Sequence, residues 1–238
     1  MKRVDDRSRS AQIAADLRAK ILSGDLTGNL PTFKRLEVLY NTATNTAQRA
    51  VAMLKAEGFV EGRQGKALII RPDRIHIVDA SAQLEPAEST ITYQVLQVGQ
   101  ERPPADAALK LGLAEGETAL LRKRLMLRND EPVELEWSYY PEAVVTGTAL
   151  DRPDRDLATS PETLAGLGWQ QHGLVDEIHV REPTTEELQT LELPDEIPVM
   201  RTLRTITDPK GTVLEVTVMI TSGHLYGVRY QQTLPQPE

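Results

Sequence analysis

At 238 residues and 26.4 kDa, with 40% hydrophobic and 26% charged side chains, the chain is long enough for two small domains that each build a core. Zero cysteines exclude a disulfide framework, a thiolate metal site and a cysteine nucleophile, and apolar runs such as Ala67 to Ile70 are far too short to cross a bilayer. The opening Met1-Lys2-Arg3-Val4-Asp5-Asp6 has no apolar leader behind it, so a cytoplasmic protein without a membrane partner is expected. The net charge of -8 hides an asymmetry: residues 1–72 carry 13 Lys and Arg against 7 Asp and Glu, a balance of +6, and the remainder carries 14 against 28, a balance of -14. A basic segment of this size is the footprint of a nucleic-acid-binding module, whereas the acidic remainder would be repelled by phosphates.

In the basic segment, Ile13, Leu17 and Ile21 recur at helical spacing, with Ala14 and Leu22 beside them, and Gly24 reads as the stop. Pro31 precedes a second helix over Thr32 to Tyr40, capped by Thr32, with Leu36, Leu39 and Tyr40 facing inward. Asn41-Thr42 reads as a turn, and Thr42 as the cap of a third helix whose buried stripe is Ala43, Ala47, Ala50, Val51 and Leu54, ending before Gly58. Phe59 to Glu61 and Ala67 to Ile70 then form a hairpin across the basic tip Gly62-Arg63-Gln64-Gly65-Lys66. Two short helices with a tight turn and a following hairpin make a winged helix-turn-helix. The third helix would expose Thr44, Asn45, Gln48, Arg49 and Lys55, short polar groups, an amide and cations of the kind that read base edges and phosphates.

A loss of periodicity and the arrival of Pro72, Pro86 and scattered acids set domain bounds at 1–72 and 89–238, with a linker over 73–88. The second domain begins with the alternating Ile91 to Val98 and a helix over Pro104 to Leu111, closed by Gly112. Strands are expected over Thr118–Leu127 and Val133–Tyr140, joined at Asn129-Asp130, and short helices over Glu162–Leu167 and Thr184–Leu191, the latter with a capping box. Strands over Leu174–Glu182, Val199–Thr207, Val213–Thr221 and Leu225–Gln231 complete the chain. Adjacent hairpins with inserted helices argue an α+β antiparallel sheet rather than a nucleotide-binding βαβ array, and its two halves share one outline of strand, helix and hairpin.

The stretches Ile21-Leu22-Ser23-Gly24-Asp25-Leu26, Leu30-Pro31, Thr46-Ala47-Gln48-Arg49-Ala50 and Ala56-Glu57-Gly58-Phe59-Val60 resemble the winged helix-turn-helix of GntR-family transcription regulators. The acidic domain is similar to the UTRA effector-binding domain of the HutC subfamily through Tyr93 to Leu96, Leu111 to Glu117, Arg124-Leu125 before Asn129 to Val133, Tyr140-Pro141, and Asp208 to Gly211 before Leu214 to Val216. The resemblance implies a homodimeric repressor that binds a palindromic double-stranded operator and releases it when a small molecule enters a chorismate-lyase-like domain. It implies DNA contacts from Lys34, Arg35, Thr44, Asn45, Thr46, Gln48 and Arg49, and from the wing residues Arg63, Gln64, Gly65 and Lys66. The family usually has arginine where Lys34, Thr44 and Gln48 stand, so base preference should differ, with Asn45 and Gln48 suited to adenine and Arg49 to phosphate. For the effector it implies Tyr93, Arg124, Glu136, Glu215 and Thr221. Met126, Thr221 and Ser222 stand where the family usually has Arg, Tyr and Arg, which favours a ligand less anionic than a sugar phosphate.

Other chemistry is thinner. His76, His172, His179 and His224 lack ligand spacing, so neither a metal nor a cofactor is expected. Glu134 and Glu136 share a strand face and read first as solvated acids, and Arg124 on its own reads as a surface ion pair. Trp137 and Trp169 read as core or interface residues. No nucleophile elbow or Ser/His/Asp order is present, so the reading is not an enzyme. The alternative is a lyase-like domain fused to a DNA-binding head, with Arg124 holding a substrate carboxylate and Glu136 or Glu215 as acid or base.

Overall fold

The computed structural model describes residues 5–62, 67–79, 90–146, 148, 150, 161–194 and 197–231. The chain divides into two compact units between Ile77 and Val78.

In the first unit, helix α1 (Arg9–Ser23) starts where the Ser8 side chain accepts from the Ala11 amide and stops at Gly24, whose φ of 81° is the left-handed conformation that glycine adopts freely. Ile13, Ala14, Leu17 and Ile21 form its buried stripe, while Leu22 is exposed. Helix α2 (Phe33–Tyr40) is capped by Thr32, as its sequence suggests. Only Leu36 is fully buried in it, and Leu39 is 53% exposed, contrary to the inward placement expected from periodicity. The cause is Tyr40: its hydroxyl donates to Asp16 Oδ2 at 2.5 Å and Lys20 lies over its ring, which draws the Tyr40 edge of α2 toward α1 and turns Leu39 outward.

Helix α3 (Thr44–Ala56) begins one residue later than a Thr42 cap requires. Asn41 is left-handed (φ 44°) and the Thr42 amide donates to the Glu37 carbonyl, so Thr42 finishes α2, and the cap position falls to Ala43, which is exposed and has no side-chain oxygen. Ala47, Ala50, Val51 and Leu54 do form the buried stripe. Arg18 of α1 grips Glu57 at the end of α3 through two bonds of 2.7 and 2.5 Å. Strands β1 (Val60–Glu61) and β2 (Ile69–Ile70) pair antiparallel, Val60 with Ile70 and Glu61 with Ile69. Leu30 and Gly28 extend this ladder through bonds to Leu68 and Ile70. Where the linker was expected to begin, Pro72–Arg74 forms a 3-10 turn, and within the linker β3 spans His76–Asp79. Residues 80–89 lie outside the described ones.

The second unit is built on a six-stranded antiparallel sheet in the order β4-β5-β6-β9-β8-β7. Its first half is β4 (Ile91–Glu101), α4 (Ala105–Leu111), β5 (Ala119–Arg128) and β6 (Glu131–Tyr140). The second is β7 (Gly173–Arg181), α7 (Thr185–Thr190), β8 (Val199–Thr207) and β9 (Val213–Ser222). Helices α4 and α7 start 80 residues apart, at 105 and 185, as do β5 and β8, at 119 and 199. The halves are therefore one β-α-β-β unit used twice, meeting where β6 pairs with β9. Asn129 and Asp130, with φ of 50° and 65°, form the tight turn between β5 and β6 that their residue types favour.

Period-two alternation gives each strand one apolar side. Leu121, Leu125, Leu135, Tyr139, Leu203, Val216, Val218 and Ile220 bury against α4 and α7, and α4 packs on β9 while α7 packs on β6, so each helix covers the other half. A second cluster of Leu120, Tyr140, Leu150, Leu164 and Leu214 is completed by α5 (Glu142–Val145), a short helix the sequence pattern did not reveal, and α6 (Pro161–Gly166) carries Leu164 into it. The last strand, β10, spans Tyr226–Arg229.

Candidate nucleic-acid interface and candidate effector site

The first unit presents the polar side of α3 to solvent: Thr44, Asn45, Gln48, Arg49 and Lys55 are exposed, and Thr46 is half-buried. The spacing of four between Thr44 and Gln48, and between Asn45 and Arg49, puts these groups on adjoining lines of one helix face. Thr44 also serves structure, because its hydroxyl donates to Glu37 Oε1 at 2.7 Å and ties the start of α3 to α2. Lys34 and Arg35 are exposed in the first turn of α2. With Ala43 at the cap, no side chain competes for the first amides of α3. Arg63, Gln64, Gly65 and Lys66, expected at the wing tip, lie outside the described residues; beside them, the Leu68 side chain packs so closely on Gly62 that a Cβ there would lie 2.3 Å from it.

In the second unit, the sheet side opposite α4 and α7 is polar and buried. Cross-strand register sets Arg124 opposite Glu136, Arg122 opposite Ser138, Ser138 opposite Thr217, and Glu134 opposite Thr221, with Arg204 of β8 opposite Thr217 from the other side. Arg124 Nη2 donates to both oxygens of Glu136, at 2.7 and 2.8 Å, and its guanidinium lies 4.8 Å from the centre of the Tyr93 ring. Arg204 holds Asp176 of β7 through two bonds of 2.8 and 2.7 Å, and Arg122 donates to the Leu150 carbonyl at 2.9 Å. From Glu136 a line of oxygens crosses the seam between the halves: Ser138 Oγ is 2.6 Å from Glu136 Oε1 and 3.0 Å from Thr217 Oγ1, which is 2.7 Å from Glu215 Oε1. Glu215 Oε2 and Thr221 Oγ1 are buried with no hydrogen-bond partner among the described residues.

Burial sets the electrostatics of this face. It pushes Glu134 up to about 8, with the Glu136 charge adding to the rise and Arg204 and Arg124 pulling back only part of it. Glu215 is also raised, first by burial and then by Glu136, against the hydroxyls of Thr217 and Ser138 and the charge of Arg124. Burial opposes the charge of Arg124, but Glu136, Tyr140 and Glu215 hold its pKa above the ordinary value. Arg204 is held up in the same way, burial being outweighed by Asp176.

Tyr93, Arg124 and Glu136 thus come into direct contact, Glu215 joins them through Ser138 and Thr217, and Thr221 stands beside Glu134. Two first readings are corrected. Glu134 and Glu136 are not solvated, being 7% and 6% exposed, and Arg124 is not on the surface, being 4% exposed. Their place is on inner strands, with a neighbouring strand on each side. Sequence reasoning missed Arg122, Ser138, Asp176, Arg204 and Thr217. Part of the signal was present in β6, where Glu134, Glu136 and Ser138 alternate with Leu135, Trp137 and Tyr139. Trp137 packs on the main core with Lys123 over its ring, and Trp169 packs on the second cluster. Among the described residues no group of three acidic or histidine side chains is placed to hold a metal ion, and no helix is long and apolar enough to cross a membrane.

Two family models match the chain. Residues 9–70 fit the bacterial regulatory proteins of the gntR family, and residues 87–226 fit the UTRA domain. An HTH-type transcriptional regulator of Streptomyces coelicolor is 26% identical over 231 residues, covering 87% of this chain and 85% of that one. One of Rhizobium meliloti is 28% identical over 225 residues, covering 86% of each. Among solved structures, PhnF of Mycobacterium smegmatis shares the fold with a TM-score of 0.59 at 18% identity, over 94% of this chain and all of that one. With a winged helix-turn-helix in the matched first segment and an antiparallel α+β sheet in the second, the chain belongs to the GntR-family transcriptional regulators that carry an effector-binding UTRA domain.

Proposed function

We propose that the protein is a homodimeric repressor of the HutC type, which holds a palindromic operator through two winged heads and releases it when a small molecule settles on the buried polar face of the second unit. The observation that supports it most is that face itself. Arg122, Arg124, Glu134, Glu136, Arg204 and Glu215 are each 7% exposed or less on one side of a sheet. Burying so many ionisable groups adds little to stability, since well-packed apolar residues in their place do as well or better, so their value lies in what they bind. Asn45 and Gln48 read base edges, with amides suited to adenine. Thr44, held by Glu37, and half-buried Thr46 line the same surface. Lys34, Arg35, Arg49 and the wing residues Arg63 to Lys66 meet phosphates. Tyr93, Arg124, Glu136, Glu215 and Thr221 receive the effector. The two heads engage half-sites about one helical turn, roughly 34 Å, apart, and the ligand acts only through a difference in its affinity for the bound and released arrangements.

An electrophoretic mobility assay with the full chain and its own promoter region tests the DNA reading, and a thermal-shift screen of metabolites tests the effector reading. Specific retardation reversed by a compound that also raises the melting temperature is expected; a folded dimer with no sequence preference would overturn it. The elevated acid Glu134 beside Arg124 is also what a proton-transfer enzyme would need, so the lyase-like alternative is tested by turnover of the stabilising compound. Saturable binding without turnover is expected of a non-enzymatic sensor.

A further inference from the structure

The line of oxygens across the seam has a definite proton requirement. Glu136 Oε1, Ser138 Oγ, Thr217 Oγ1 and Glu215 Oε1 follow one another at 2.6, 3.0 and 2.7 Å, so three contacts at hydrogen-bonding distance join four oxygens. Each contact needs one hydrogen, and each hydroxyl supplies only one. Two hydroxyls therefore leave the line one proton short. If both hydroxyls turned outward to their carboxylates, the central pair would be two oxygens facing each other with nothing between them, in a place that water does not reach. A proton on a terminal carboxyl completes the line.

The two ends are not equivalent. Both oxygens of Glu136 accept from Arg124 Nη2, a contact made with a carboxylate and not with an acid. Glu215 has no such cation. Its Oε2 has no hydrogen-bond partner among the described residues, and the residue is 4% exposed. The charged groups facing it come from three strands: Arg124 from β5, Glu136 from β6 and Arg204 from β8, the first two neutralising each other and Arg204 being held by Asp176 of β7. Arg122 of β5 stands across from Ser138 and is directed at the Leu150 carbonyl. Burial and the Glu136 charge both favour the protonated form of Glu215.

Resting on the reading of this face as the effector site, we propose that Glu215 is a neutral acid at pH 7, that its Oε1–H donates to Thr217, which donates to Ser138, which donates to ionised Glu136, and that Glu215 Oε2 is thereby left as a neutral acceptor for a hydroxyl or amide N–H of the ligand. An ionised Glu215 would instead select an ammonium group. The neutral form makes the site a reader of uncharged donors at this point, with Thr221 and its unpartnered hydroxyl further along the same strand.

Carbon NMR of the full chain labelled with 13C at the glutamate carboxyls, titrated with pH, tests this. One resonance that is present in the wild type and absent in Glu215→Gln is expected at the protonated position at pH 7. Thr217→Val, which removes the acceptor of that proton, gives the second identification by shifting the same resonance. Glu215→Gln is expected to fold with an undiminished melting temperature, because its amide can donate to Thr217 and accept at the other atom as the neutral acid does. Its melting temperature should also fall less steeply than that of the wild type as pH rises above the ordinary carboxylate range. An ionised resonance at pH 7, or a Glu215→Gln chain that melts several degrees lower, would overturn the proposal. The result is separate from the effector reading: a face that binds nothing would leave the resonance protonated all the same, and an ionised Glu215 would leave the screen for effectors intact.

Discussion

Glu134 ionises near 4.5 in an unfolded chain and near 8 in the folded one, so between these values the native state holds a proton that the unfolded state has released. Its contribution to stability is complete below about 4.5 and is lost as pH rises through about 8. Glu134→Gln is expected to remove that slope, melting above the wild type at pH 9 and close to it at pH 5. Calorimetry across that range decides, and parallel pH profiles would show that Glu134 is ionised throughout. On the DNA side, Gln48→Ala should cost about 1–3 kcal/mol at the base it reads and relax preference there alone, as measured by anisotropy with single-base operator variants. Individual residues were the hardest scale to read in the sequence. Tyr93, Arg124 and Glu136 were singled out through a family pattern, but whether a carboxylate on a strand is solvated or buried depends on what covers that strand. The Arg122 end of that face, for instance, is met by the carbonyl of Leu150, 28 residues further along the chain.

Helix boundaries follow from single residues, and most were legible for that reason. Thr32, Gly24, Gly112 and the Thr184–Glu187 capping box all act as their types suggest, and the box is tightened by Arg181, which holds Glu187 through two bonds of 2.6 Å. The start of α3 was misread because Thr42 competes between ending one helix and starting the next, and a backbone bond to Glu37 settles it. Ala43 has extended φ and ψ of -76° and 153°, the conformation of a cap without the oxygen. Ala43→Ser is therefore expected to stabilise the first unit by about 0.5–1 kcal/mol, seen as a higher melting temperature. An unchanged value would mean that the first amides of α3 are already satisfied by water. Most strands of the second unit were placed to within two residues, since alternation is strong there, while β4 runs three residues past the expected end at Val98. The four-residue helix α5 was missed because it is shorter than a helical period can reveal.

At the scale of the molecule, the charge division between the two parts of the chain assigns DNA to the basic part and leaves the acidic part for another task. If two heads act together on one operator, residues 1–77 alone should bind it about 100-fold or more weakly than the full chain, and with a shallower dependence on salt, because fewer phosphates are engaged at once. Titrations at several salt concentrations would show equal slopes if a single head did all the binding. The duplication has a consequence for what the acidic part can recognise. Arg124 and Arg204 stand 80 positions apart, as their strands do, yet one faces a glutamate on β6 and the other an aspartate on β7. Identical repeats would have offered a guest two equivalent ways of lying across their junction. With the two arginines differently neutralised, a guest lying across the junction as proposed above would meet unlike surroundings at its two ends, and the junction would distinguish head from tail.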